Sequence, residues 1–149
     1  MNIKTKNLLK EFSNKLYLIK DNFYKIDTSV VDYISDLSYY TIEEDDEDLD
    51  DGYQVGDILY CQLFGDFALY IRERLSNENM NDKLLLSSVQ LMQDMYNTNN
   101  YEIINLVETC ILEVLADSEK CKLKLKAIFN SSLLDAYNSV ISNYNIKIE

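Results

Sequence analysis

Residues 41–57 read T-I-E-E-D-D-E-D-L-D-D-G-Y-Q-V-G-D, and eight of the nine positions from Glu43 to Asp51 are acidic, interrupted only by Leu49. So dense a block of carboxylates has three chemistries open to it. It can ligate a divalent cation, take the place of nucleic-acid phosphates in front of a basic partner, or keep a connecting loop in water. Alignment with an EF-hand loop tests the first. Asp46, Asp48 and Asp50 fall at the first, third and fifth positions, but Asp51 occupies the sixth, where the sharp turn needs glycine. Gly52 comes one residue late, and the twelfth position is Asp57 rather than a bidentate Glu. No specific metal site and no cofactor are expected.

Long charge runs are commonly solvated connectors. The sharper reading is a docking surface for a basic protein. Glu43, Glu44, Asp45, Asp46, Glu47, Asp48, Asp50 and Asp51 can satisfy the Arg and Lys side chains that line a nuclease cleft, in part bidentately. Tyr53, with Tyr39 and Tyr40, can supply the aromatic anchors that interfaces favour.

Other constellations are thinner. The chain has no His, so Ser–His and Cys–His nucleophiles and imidazole metal ligands are excluded. Asp57 and Asp66 could approach each other across a helix break at Gly65, but a carboxylate pair alone is weak ground for acid–base chemistry. Glu108 and Glu113 do not share a helix face well, and Lys120, Lys122, Lys124 and Lys126 spread over a wide arc diluted by Glu119. Cys61, Cys110 and Cys121 are odd in number and lack CxxC spacing, so they read as buried reduced thiols. No catalytic residue is expected.

The totals agree with a binding role. The chain has 149 residues, 47% of them hydrophobic, which suits one domain over 1–149 with its own core. Its net charge is −12, and the eight acids of the run dominate it, since the remaining 18 acids face 14 bases. Such a chain repels nucleic acid and attracts a basic protein. The N-terminus shows no apolar export core, and no apolar run reaches the ~20 residues a bilayer needs, so a cytoplasmic protein away from membranes is expected.

The elements that must carry these residues read as helices. Leu9, Phe12, Leu16, Ile19 and Phe23 recur at steps of three and four, giving a helix over 4–23. Asp27 or Thr28 caps a second, with Val30, Val31, Ile34 and Leu37 inward. The acidic loop, 41–56, follows, and Gly52 and Gly56 bracket a turn. Asp57 then caps a helix from Ile58 to about Leu75, in which Gly65 marks either a break or a close approach. Leu85, Val89, Met92 and Tyr96 share one face of the next helix. Asn99 with Glu102 resembles a capping box for a widely apolar, hence central, helix through Val107 and Leu115. Asp117 or Ser118 starts a shorter helix through Leu123, Ala127 and Ile128, and Ser131 or Ser132 starts the last, with Leu134, Tyr137 and Ile141 inward. The expectation is all-α: about seven helices packed as antiparallel hairpins, the last four able to stack in an irregular HEAT-like way.

Two stretches carry a family likeness: L-F-G-D-F-A-L-Y-I-R-E-R-L at 63–75 and E-I-I-N-L-V-E-T-C-I-L-E-V-L at 102–115. They resemble the small all-helical immunity proteins of bacterial polymorphic-toxin and contact-dependent growth inhibition systems, over roughly the second two-thirds of the chain. The resemblance implies tight binding to one cognate toxin domain in the cytoplasm without catalysis. It carries no fixed site residues, so the acidic block is an inference from charge alone. The expected function is therefore neutralisation of a cognate toxin, a basic nuclease, by blocking its active site or substrate groove. The alternative is an acidic nucleic-acid mimic that inhibits a DNA- or RNA-binding protein.

Overall fold

The computed structural model describes residues 2–26, 40–43, 54–76 and 82–148. Six helices make up almost all of these: α1 (Ile3–Ile26), α2 (Tyr60–Ser76), α3 (Asp82–Tyr96), α4, α5 (Glu119–Ile128) and α6 (Ser131–Ile148). Helix α4 is composite. It is α-helical over Tyr101–Leu106, π-helical over Val107–Leu112 and α-helical again over Glu113–Leu115. Among the described residues the only extended pairing is a single antiparallel bridge between Thr41 and Ile58. The fold is all-α. The helix expected after Asp27 or Thr28 lies outside the described residues.

Helix α1 shows how the apolar period becomes packing. Leu9, Phe12, Leu16 and Ile19 are all buried, as their spacing predicts. Each such side chain gains about 1.5–3 kcal/mol on leaving water, against about 0.2–0.5 kcal/mol for a surface i,i+4 pair, so docking rather than local propensity holds the helix. Helix α1 lies along α3, which buries Leu85, Val89, Met92 and Met95. Helix α2 lies along α4.

Helix α4 occupies the centre, touching α1, α2, α3 and α6. Its π-turn explains how. Cys110, Ile111 and Leu112 are three consecutive buried residues, more than one stripe of a regular α-helix can turn inward. The Glu113 N–H bonds back to the Glu108 carbonyl, five residues earlier, so one extra residue enters the turn and the buried arc widens. Gly65 sits against this turn: a Cβ there would lie 3.4 Å from the Cys110 carbonyl oxygen. The glycine therefore marks a close approach of α2 to α4, and α2 runs through it unbroken.

Several local expectations shift. Helix α4 is capped by Asn100, not Asn99: the Asn100 side chain accepts from the N–H groups of Glu102 and Ile103, while Asn99 takes a left-handed φ of 56°. Helix α5 is capped by Ser118, but it turns Cys121 and Leu125 inward, leaving Leu123 80% exposed and Ala127 exposed. Its lysines alternate with apolar residues, so the inward stripe is ambiguous by two positions in the sequence. Helix α6 is capped by Asn130, whose Oδ1 accepts from the Leu133 N–H at 2.9 Å. Tyr137 and Ile141 are buried as expected, with Leu133 rather than Leu134 fully inside.

Candidate functional site

The acidic run is rooted in a small stem. Tyr40 C=O accepts from Leu59 N–H at 2.8 Å, Ile42 N–H donates to Asp57 C=O at 2.9 Å, and Ile42 C=O accepts from Gly56 N–H at 2.9 Å. The chain on the two sides of residues 44–53 is therefore hydrogen-bonded together. The re-entry is a turn in which Asp57 N–H donates to Gln54 C=O at 3.0 Å, with Gly56 at a φ of 91° that side-chain-bearing residues avoid.

Tyr40 fastens the stem from beneath. It is fully buried, and its hydroxyl donates to Asp66 Oδ2 at 2.8 Å. That corrects its expected role as a partner-facing anchor: its ring belongs to the core. Glu43 is exposed. Glu44, Asp45, Asp46, Glu47, Asp48, Asp50, Asp51, Tyr39 and Tyr53 lie outside the described residues, as does Gly52.

Asp57 fastens the stem from the side. Lys6 Nζ of α1 lies 3.1 and 3.2 Å from its two carboxylate oxygens, and the Gln54 N–H donates to Oδ2 at 2.9 Å. The Gln54 backbone bond, then the lysine, hold the Asp57 carboxyl below its ordinary range against the opposing pull of partial burial. Asp57 thus closes a turn and pairs with α1; it does not cap α2, which begins at Tyr60. Nor does it pair with Asp66, which serves Tyr40 instead. Beside the stem, burial and the Asp57 charge push the Tyr60 phenol up.

Next to this stem is a groove of about 550 Å³. Its walls come from α1 (Lys6, Asn7, Lys10), the stem (Gly56 to Ile58), the start of α2 (Tyr60, Cys61) and α4 (Tyr101 to Cys110). Tyr101 stands at its edge, 81% exposed. Cys61 and Cys110 are joined by a disulfide with Cα atoms 5.4 Å apart. This overturns the reading of three reduced buried thiols. The two cysteines are 49 residues apart in sequence and meet only because α2 packs tightly on the π-turn. Cys121 is the free, buried thiol, raised in pKa by desolvation.

Sequence reasoning missed this groove. The sequence attached no role to Lys6, Lys10 or Tyr101, the last being one of 12 tyrosines. Only the pairing of the two cysteines offered a signal, and their spacing concealed it. Among the described residues no group of three or more His, Cys, Asp or Glu could hold a metal ion. No helix among them is long and apolar enough to cross a membrane.

Residues 37–145 match a family described as Domain of unknown function (DUF7674), and the chain belongs to it. The match takes in the stem, α2 to α5 and most of α6, but not α1, which brings Lys6 and Lys10 to the groove. No curated protein and no solved structure matches the chain.

Proposed function

We propose that this chain is a non-catalytic binding protein of the cytoplasm: an immunity protein that neutralises a cognate basic toxin, a nuclease, by covering its active site or substrate groove. The observation that carries the reading is the rooting of the acidic segment. Its two ends are hydrogen-bonded together at Ile42, Gly56 and Asp57, and Tyr40 and Lys6 lock that stem to α2 and α1. The segment whose sequence carries the eight carboxylates thus joins the helical body through two hydrogen-bonded ends. Concentrated charge of this kind steers a basic partner and raises its association rate. In this reading a further helix before the stem completes about seven, packed as antiparallel hairpins, and the acidic loop 41–56 falls between the second and third.

The test starts with capture of a partner by the full chain from cells that express the proteins encoded beside its gene. A single basic protein that poisons cells lacking this chain is the expected result. Reversal of Asp45, Asp46, Glu47 and Asp48 to lysine is then expected to slow association at low salt and flatten its salt dependence, read by stopped flow. An unchanged on-rate would remove the acidic segment from the interface. Capture of diverse DNA-binding proteins would replace the toxin with the nucleic-acid-mimic reading.

A further inference from the structure

Both half-cystines of the one disulfide line the groove, and they are not equivalent. Cys61 is exposed in the first turn of α2, whereas Cys110 is 6% exposed within the π-turn of α4. A purely structural cross-link is best kept from solvent thiols; an accessible one exchanges. Attack here is possible from one side, at Cys61. The first turn of a helix also favours a thiolate, through its free N–H groups and the helix dipole.

The surroundings of Cys110 provide for its reduced form. Thr109 Oγ1 donates its hydrogen to the Asn105 carbonyl at 2.7 Å and lies 3.4 Å from Cys110 Sγ. With that hydrogen engaged, the oxygen can only accept from the sulfur. A disulfide sulfur has no proton to give, but a thiol has. The contact therefore becomes a hydrogen bond when the disulfide opens, and a buried thiol finds its partner already in place.

The charges on the walls define what could approach. Lys6 and Asp57 neutralise one another. Lys10 on α1 and Glu102 on α4 remain, neither in an ion pair among the described residues. A cation and an anion on different walls suit a ligand with a carboxylate and an ammonium group. At about 550 Å³ the groove is in the size range of small-molecule sites.

We propose that this groove is a thiol–disulfide exchange site for a zwitterionic low-molecular-weight thiol of the glutathione or cysteine class. The thiol's carboxylate faces Lys10 and its ammonium faces Glu102. Its thiolate attacks Cys61 Sγ, the Cys61–Cys110 bond breaks, and Cys110 leaves as a thiolate that takes a proton from water and, as a thiol, hydrogen-bonds to Thr109 Oγ1. A second thiolate attacks the small-molecule sulfur of the mixed disulfide, and Cys61 leaves as thiolate. The protein disulfide is reduced to two thiols and two small thiols are oxidised to one disulfide; the oxidised small molecule reverses the sequence.

The experiment follows the oxidised full chain by intact mass and thiol titration while glutathione, or uncharged 2-mercaptoethanol, reduces it. Each rate is divided by that thiol's rate on an unstructured disulfide peptide. Glutathione is expected to be preferred several-fold, and Lys10→Ala and Glu102→Gln each to reduce the preference by roughly threefold, the scale of one exposed ion pair. In Cys110→Ser, oxidised glutathione is expected to leave one adduct, on Cys61. Equal normalised rates for the two thiols, indifference to Lys10→Ala and Glu102→Gln, resistance of the disulfide to both thiols, or two free thiols and no adduct in Cys110→Ser after equilibration with oxidised glutathione would each overturn the proposal. The rate comparison uses the native sequence, so a Cys110→Ser chain that fails to fold does not shield it.

Discussion

Asn100 Nδ2 donates to Thr5 Oγ1 across 2.9 Å, joining the first turn of α1 to the residue that caps α4. Thr5 is fully buried, and its own N–H donates to Asn2 Oδ1 at 2.8 Å. One amide side chain thus serves two helices. Its oxygen satisfies the open N–H groups of Glu102 and Ile103, and its nitrogen ties down α1. Asn100→Ala is expected to cost about 2 kcal/mol, combining about 1 for a lost cap and about 1 for a lost buried hydrogen bond. Asn100→Asp keeps the cap and loses only the donor, so its cost in urea unfolding should be near half.

Gly65 separates α2 from α4 by the width of one methyl group. A Cβ at 3.4 Å from the Cys110 carbonyl is ordinary contact, and alanine is favoured over glycine within a helix by about 1 kcal/mol. Gly65→Ala should therefore be neutral or slightly stabilising. Gly65→Leu pushes further atoms into that backbone and should destabilise by about 1–3 kcal/mol, with a fall in the urea midpoint.

The Tyr137 hydroxyl is buried and donates to the Leu115 carbonyl at 2.9 Å, and its ring meets Phe129 edge-on with centroids 5.2 Å apart. Tyr137→Phe keeps the ring and removes the bond, for an expected loss of about 1–2 kcal/mol. Burial pushes the Tyr137 phenol well above its ordinary value, and burial also raises Tyr60 and Tyr96. A pKa raised by folding gives stability that is present below the unfolded value near 10 and lost as pH rises through it. Thermal melts above pH ~10 should fall less steeply in Tyr137→Phe than in the parent chain.

Asp57 works in the opposite sense. Its carboxyl is lowered, first by the Gln54 N–H and then by Lys6, so its contribution is complete above the unfolded value near 4 and lost as pH falls below it. Asp57→Asn should lower stability at neutral pH and flatten the acid limb of the stability curve below pH ~4. Urea midpoints compared at neutral and acid pH read both effects.

The Cys61–Cys110 link closes a loop of 49 residues' separation. Chain entropy puts the effect of such a loop at about 4 kcal/mol as an upper figure. Reduction of the purified chain should lower its unfolding free energy by up to that amount, read as a fall in the urea midpoint. Cys121 is buried and outside the link, so Cys121→Ala should leave the difference between oxidised and reduced chains unchanged.

By itself the sequence determined the helical class, because residues such as Leu9, Phe12, Leu16 and Ile19 recur at a period only a helix can bury on one face. It also determined the wide arc that makes α4 central, and the charge of residues 43–51. It could not resolve single-residue choices such as Asn99 against Asn100 or Leu123 against Leu125, where neighbouring residues offer nearly equal caps or stripes and tertiary contacts decide. Nor could it reveal the groove. The partners there, Lys6 with Asp57 and Cys61 with Cys110, are far apart in sequence. They meet because α2 packs closely on the π-turn beside Gly65 and because Tyr40 and Asp57 fold the stem back onto α2 and α1. Periodicity reports which face of an element leaves water; only packing reports which faces meet.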